Sequence, residues 1–110
     1  MIIVINTYGV MKMLNYLLDL DLSPDEIYDI TYSLPSEIVD TLSLSETVVK
    51  ESLTYFKSIG VHNISGLLVN RPDLVLLNKS DIEKTLSKMD IKKIVEIINN
   101  DIEDLILFGV

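Results

Sequence analysis

The chain has 110 residues, no cysteine and no tryptophan, a formal net charge of −8 and 48% hydrophobic residues. This length favours a single domain that buries a core without disulfides or structural metals. The lack of cysteine excludes disulfide and thiol chemistry and agrees with a reducing, cytoplasmic location. The hydrophobic content argues against disorder, and no apolar run reaches the length of about 18 residues that a membrane span needs.

The first ten residues, MIIVINTYGV, hold a short apolar run with no basic residue before it. A signal peptide begins with positive charge, so none is expected here. The run suits a short strand, a first helical turn or a tail that orders against a partner. Beyond it, apolar residues recur at three- and four-residue spacing without clear alternation, which predicts an all-α fold of about seven or eight short helices.

Capping signals predict where several helices begin. Ser23, Pro24 and Glu26 supply an N-cap serine, a proline at the first helical position and a reciprocating glutamate, which together form the pattern of a capping box. The same S-x-x-E spacing recurs at residues 43–46 and 80–83, so two further helix starts are predicted there.

The middle of the chain has the clearest helix ends. Apolar positions predict a helix from about residue 44 to about residue 59, and Gly60 follows it where a left-handed residue commonly ends a helix. Asn63 and Asp90 are predicted to cap the next helices. Pro72 should end the helix before it and keep the preceding residue out of the helical conformation.

The apolar pattern repeats along the chain. Residues 16–22, 55–61 and 85–91 carry apolar residues at matching positions, and each segment is followed by a second apolar cluster and a short third segment. This predicts three tandem helical repeats of two helices plus a short third helix, stacked as a small superhelix of either hand. The units span about residues 14–42, 48–79 and 82–108. Their core is expected to bury Phe56, Ile59, Leu67 and Leu68 together.

The middle unit contains the segments FKSIGV, ISGLLVNRP and DLVLL in succession. It resembles the repeat of the mitochondrial transcription termination factor (mTERF) family, in which an apolar helix ends in Leu-Gly, a second helix has an Ile-x-x-Leu-Leu core, and a proline precedes a short leucine-rich helix. Asp21 and Asp90 stand in the flanking units where Gly60 stands in this one. The resemblance covers roughly residues 14–107. It implies stacked repeats in a curved superhelix whose concave basic surface binds nucleic acid.

Charge is distributed unevenly along the chain. Residues 1–50 carry eight acidic and two basic residues, giving −6, whereas residues 57–93 carry seven basic and four acidic residues, giving +3. A strongly acidic protein is repelled by nucleic acid unless its basic residues cluster on one face. Nucleic-acid binding would therefore depend on six basic residues of the middle and C-terminal parts: Arg71, Lys79, Lys84, Lys88, Lys92 and Lys93.

No catalytic, cofactor or metal site is expected. The segment DLDLSPDE at residues 19–26 alternates acidic residues like a calcium loop, but Pro24 and Ile30 stand where an EF-hand needs glycine and glutamate. A helix end followed by a capped helix is the preferred interpretation. His62, the only histidine, is predicted to be an exposed turn residue. Phosphate-binding glycine loops and the common hydrolase and zinc motifs do not occur.

Two classes of function remain. The preferred one is a small acidic helical-repeat module that binds a protein or peptide, because helical repeats present grooves and an acidic surface suits a basic partner. An acidic mimic of nucleic acid is a variant of this class. The alternative is an mTERF-like nucleic-acid-binding protein that uses the six basic residues. Neither class requires catalysis or a membrane partner.

Overall fold

The computed structural model describes residues 14–110, and the expectations for residues 1–10 lie outside this range. The described chain folds into nine short helices without a strand, which confirms the predicted all-α fold and slightly exceeds the expected number of about seven or eight. The first and last are 3₁₀ helices and are numbered with the others. In chain order the helices are α1 (Asn15–Leu20), α2 (Pro24–Ser33), α3 (Ser36–Leu44), α4 (Glu46–Ser58), α5 (Ile64–Asn70), α6 (Pro72–Val75), α7 (Lys79–Leu86), α8 (Ile91–Asn100) and α9 (Ile102–Phe108).

The predicted capping box at the start of α2 is confirmed. The Ser23 Oγ atom accepts a hydrogen bond from the Glu26 amide at 3.1 Å, and Glu26 Oε1 accepts one from the Ser23 amide at 3.0 Å. Pro24 occupies the first helical position, where a missing N–H leaves no helical hydrogen bond unmade. These contacts fix the start of α2.

Helices begin at or next to the other two S-x-x-E segments, as predicted, since α4 begins at Glu46 and α7 at Lys79, but the serines of these segments do not cap them. Ser43 lies inside α3, and its hydroxyl donates to the Asp40 carbonyl oxygen at 2.7 Å. At the second segment, α7 begins earlier because the Asn78 side chain caps it by accepting a 3.0 Å hydrogen bond from the Asp81 amide. The Ser80 hydroxyl donates to the Asn78 side chain instead. Asparagine caps as well as serine does, so the local motif did not decide between the two starts.

The turn between α4 and α5 has the predicted geometry. Gly60 adopts a φ of +110°, which only glycine reaches without strain. The chain closes a Schellman motif, in which the Val61 amide donates to the Phe56 carbonyl oxygen at 3.0 Å. Asn63 then caps α5, as predicted, by accepting a 3.2 Å hydrogen bond from the Gly66 amide.

Asp90 and Pro72 also have their predicted roles. The Asp90 carboxylate accepts a 3.3 Å hydrogen bond from the Lys93 amide and caps α8. Helix α5 ends at Asn70, and Arg71 leaves the helical region with a φ of −139° and a ψ of 59°. Pro72 then begins α6.

All nine helices of the described range contribute to one continuous apolar core. Helix α4 packs against α1, α3, α6 and α7, and α2 packs against α5. Phe56, Leu67 and Leu68 are buried, as predicted. Ile59 is only partly buried, because it follows the end of α4 and lies beside the turn.

Two hydroxyl groups bond to backbone carbonyls of distant segments. Ser52 on α4 is fully buried and donates to the Leu77 carbonyl oxygen at 2.6 Å, which joins α4 to the segment before α7. Tyr16 on α1 donates to the Leu42 carbonyl oxygen at the end of α3, at 2.7 Å. Burial, with a smaller contribution from the charge of Glu46, raises the pKa of Tyr16 well above its ordinary value.

Replacing Phe56 with alanine should lower the free energy of unfolding by about 3–5 kcal/mol, because the lost apolar contacts leave a cavity in the core. Ile59→Ala is the control, and it should cost clearly less because Ile59 is only partly buried. Urea unfolding followed by circular dichroism measures both variants. Equal losses would show that α4 does not pack through Phe56.

The Tyr16→Phe variant should lose about 1 kcal/mol of stability at neutral pH, because the hydrogen bond to the Leu42 carbonyl is removed. Since the folded-state pKa of Tyr16 is raised, its contribution to stability is fully present below the ordinary tyrosine pKa of about 10 and is lost as the pH rises above it. The wild-type protein should therefore lose stability in alkaline solution more steeply than the variant. Urea unfolding from neutral pH to above about pH 10 gives the free energy of unfolding of both proteins at each pH. If this free energy falls equally with pH in the two proteins, burial of the Tyr16 hydroxyl is contradicted.

Candidate functional site

The six predicted basic residues lie on two helices and two links of the C-terminal half. Arg71 lies between α5 and α6, Lys79 and Lys84 lie on α7, Lys88 lies between α7 and α8, and Lys92 and Lys93 lie in the first turn of α8. Of these residues, only Lys79 lines either of the two surface grooves described below. Their role in nucleic-acid binding remains a prediction.

Arg71 and Lys79 are engaged by neighbouring carboxylates. Arg71 donates from Nε and Nη2 to the two carboxylate oxygens of Asp73, at 3.0 and 2.9 Å. These hydrogen bonds hold the pKa of Asp73 below its ordinary value. The Nζ atom of Lys79 lies 3.8 Å from a carboxylate oxygen of Glu83, one turn later on α7. Both basic charges are therefore partly compensated.

The other four basic residues differ in their surroundings. The Nζ atom of Lys93 lies 5.5 Å from the centroid of the Phe108 ring, within the range of a cation–π contact. Lys84, Lys88 and Lys92 are exposed and form no ion pair within residues 14–110. Of the six basic residues, two therefore have carboxylate partners, one lies against an aromatic ring, and three have neither kind of partner within the described chain.

A groove of about 430 Å³ runs between α4 and α7. Lys50, Glu51, Thr54, Tyr55, Ser58 and Lys79 line it. Its two lysines are not isolated cations, because Lys50 Nζ lies 3.2 Å from Asp19 and Lys79 faces Glu83. The groove therefore has mixed polar character without a strong bias to one charge.

A second groove, of about 370 Å³, lies where the α1–α2 and α4–α5 turns meet. Lys57 crosses it, donating from Nζ to Asp21 Oδ2 at 2.6 Å and to the Leu20 carbonyl oxygen at 3.4 Å. The hydrogen bond and charge of Lys57 lower the pKa of Asp21. His62 also lines the groove and is exposed, as predicted. Lys57 and Asp21 thus join two turns of the fold.

The solvent side of α2 carries two tyrosines and two aspartates. Ile27 and Ile30 turn the opposite side of the helix into the core. The exposed side, here called the tyrosine–carboxylate face, consists of Asp25, Tyr28, Asp29 and Tyr32. Tyr28 and Tyr32 are 44% and 56% exposed. Their ring centroids lie 4.4 Å apart and their planes are inclined by 39°.

The charge of this face comes from its carboxylates. Hydrogen bonding to Tyr32 is the largest cause that raises the pKa of Tyr28, followed by the charge of Tyr32, burial and the charge of Asp29. Tyr28 is therefore neutral at physiological pH. Asp25 and Asp29 form no ion pair within residues 14–110. The face thus combines aromatic surface with two uncompensated negative charges, a combination that attracts organic cations.

Sequence reasoning missed the tyrosine–carboxylate face, although its signal is present in the chain. Asp25, Tyr28, Asp29 and Tyr32 follow the spacing i, i+3, i+4, i+7, which places four residues on one side of a helix. The repeating apolar pattern concerns only the buried side of such a helix and predicts nothing about its opposite side. A search for one-sided polar and aromatic patterns would have found the face.

Apolar side chains are exposed at the ends of two helices. Leu44 ends α3 and is 87% exposed, and Ile106 and Leu107 on α9 are 72% and 78% exposed. Adjacent exposed apolar residues mark interaction surfaces more often than scattered ones do. Ile106 and Leu107 therefore add a small apolar area at the C-terminal end of the described chain.

No protein-family model, curated protein or solved structure matches this chain. Within residues 14–110, the acidic residues and the single histidine form no group of three or more that is placed to hold a metal ion. None of the helices in the same range has the length and apolar character needed to cross a membrane.

Proposed function

We propose that the protein is a small acidic helical-repeat module that binds a basic segment of a protein or peptide partner and does not catalyse a reaction. The tyrosine–carboxylate face of α2 carries this proposal. It presents aromatic surface and two carboxylates on a helix whose start is fixed by a capping box and whose other side is buried in the core. Aromatic residues are enriched at protein interfaces, and carboxylates favour basic partners.

The order and packing of the helices support the helical-repeat part of the proposal. In the proposed arrangement, α1–α3, α4–α6 and α7–α9 form three units. Three pairs of corresponding helices then lie side by side, since α4 packs against α1 and α7, and α2 packs against α5. Asp21 and Gly60 occupy equivalent positions and both adopt a positive φ, of 68° and 110°. Asp90, at the third such position, has a φ of −76° and caps α8 instead. Stacking of this kind is what an mTERF-like repeat would require.

The distribution of charge supports a basic partner. The whole chain carries a formal charge of −8, of which −6 falls on residues 1–50, and α2 lies within this acidic part. A negative field of this kind speeds encounter with basic partners and opposes the approach of phosphate backbones. The same charge therefore favours the protein partner over nucleic acid.

An mTERF-like role in nucleic-acid binding is the second candidate. The observation in its favour is the exposure of Lys84, Lys88 and Lys92, which have no ion-pair partner within residues 14–110. Local attraction by these lysines would have to exceed the repulsion from the acidic residues, which salt screens beyond about 8–10 Å.

Fluorescence anisotropy titrations distinguish the two candidates. The probes are a labelled basic peptide of arginine, lysine and glycine, an acidic counterpart of glutamate and glycine, duplex DNA and single-stranded RNA. We expect micromolar binding of the basic peptide that weakens as salt is added, because charge attraction contributes to it. We expect no binding of the acidic peptide or of either nucleic acid at physiological salt.

The variant Lys88→Glu, Lys92→Glu serves as the control for the second candidate. The proposed function would be contradicted if the wild type bound nucleic acid and not the basic peptide, and if the variant no longer bound nucleic acid. That result would favour the mTERF-like role. Binding of the basic peptide that is at least as tight in the variant as in the wild type supports the proposal, because the variant only adds negative charge.

A further inference from the structure

We infer that the tyrosine–carboxylate face is the docking site for the partner, and that it takes an arginine-containing segment in preference to a lysine-containing one. This inference rests on the proposed function and adds the surface and the chemistry of the partner. It follows from the geometry of the two rings, the position of the two carboxylates and the difference between guanidinium and ammonium groups.

The ring pair provides a surface for a planar cation. Tyr28 and Tyr32 are one helical turn apart, lie against each other with centroids 4.4 Å apart, and are both about half exposed. At this centroid distance the rings are stacked, so each covers part of one face of the other, and the outer faces of the half-exposed rings leave an aromatic surface on the solvent side of α2. A guanidinium group stacks on such a surface through its flat face, whereas an ammonium group contacts it as a compact and strongly hydrated charge.

A carboxylate lies on the same helix face one turn before each ring. Asp25 precedes Tyr28 by three residues, and Asp29 precedes Tyr32 by three residues, a spacing at which helical side chains are neighbours. A carboxylate accepts two parallel hydrogen bonds from a guanidinium group, which adds directional contacts that lysine cannot reproduce. Each tyrosine therefore has a nearby carboxylate that could bind the edge of an arginine stacked on the rings.

The charge of the face also selects against other occupants. A second copy of this chain would bring another net charge of −8 to a face that already carries two uncompensated carboxylates. Phosphate groups of nucleic acid or of lipids would meet the same repulsion. A basic polypeptide segment is the occupant whose charge complements the face.

Anisotropy titrations of the full chain with two labelled peptides test the inference. Both peptides have a glycine–serine background and the same number of basic residues, which are all arginine in one and all lysine in the other. The wild type should bind the arginine peptide at least about threefold more tightly. Tyr28→Ala should weaken binding of the arginine peptide by about threefold to fivefold, as expected for an exposed cation–π contact, whereas Tyr28→Phe should retain binding because the ring remains.

Charge-neutralising variants locate the site. Asp25→Asn combined with Asp29→Asn should weaken binding of the arginine peptide several-fold and reduce its salt dependence. Glu37→Gln combined with Asp40→Asn is the matched control, because it removes the same charge from exposed positions of the neighbouring helix α3. This control should leave binding close to that of the wild type. Circular dichroism and thermal unfolding verify that every variant is folded.

The outcomes separate this inference from the proposed function. If both peptides bind and the two charge variants weaken that binding equally, the docking site is overturned. The same holds if Tyr28→Ala leaves binding unchanged. Either result leaves the basic-partner function standing. Equal affinity for the two peptides would overturn the preference for arginine. Binding of neither peptide to the wild type would overturn the proposed function itself.

Discussion

Burial of one side of each short helix is the constraint on which this fold depends. The longest helix of residues 14–110, α4, spans only Glu46–Ser58, and helices of this length are marginal in water unless they pack against neighbours. Helix α4 meets α1, α3, α6 and α7, so its buried Phe56 lies within a core to which every described helix contributes. The same constraint shapes the proposed site. Because α2 buries only Ile27 and Ile30, its opposite side is exposed, and this side carries the proposed docking site.

Hydrogen bonds at the α4–α5 turn also join this turn to distant parts of the chain. The Asn99 side chain accepts hydrogen bonds from the amides of His62 and Asn63, at 2.9 and 3.2 Å, and donates to the Gly60 carbonyl oxygen at 3.2 Å. Just before this turn, Lys57 reaches across to the α1–α2 turn. The middle of the chain is therefore tied to the segments on both sides by hydrogen bonds as well as by apolar packing, and these bonds satisfy backbone groups that the turn would otherwise leave unpaired.

Local chemistry made part of this structure predictable from the sequence. Gly60 and the capping box at Ser23 were found because their signals depend on a few neighbouring residues. The serine caps predicted at Ser43 and Ser80 are wrong because α3 continues past Ser43 and because Asn78 caps α7 in place of Ser80. The surroundings of the six basic residues depend on tertiary contacts and on partners such as Asp73 and Phe108, which spacing alone does not reveal. The tyrosine–carboxylate face was readable in principle, since it needs only helical periodicity.

The central claim is that recognition takes place on α2, in the acidic part of the chain, and that α7 and α8 do not take part in it. Chemical-shift mapping by NMR, with isotope-labelled protein and the unlabelled arginine peptide, tests this claim most directly, because it reports the contact surface without any substitution. The account predicts that the largest shift changes fall on residues 25–32, with little change on α7 and α8. Changes concentrated at Lys84, Lys88 and Lys92, or spread evenly over the acidic surface, would contradict it.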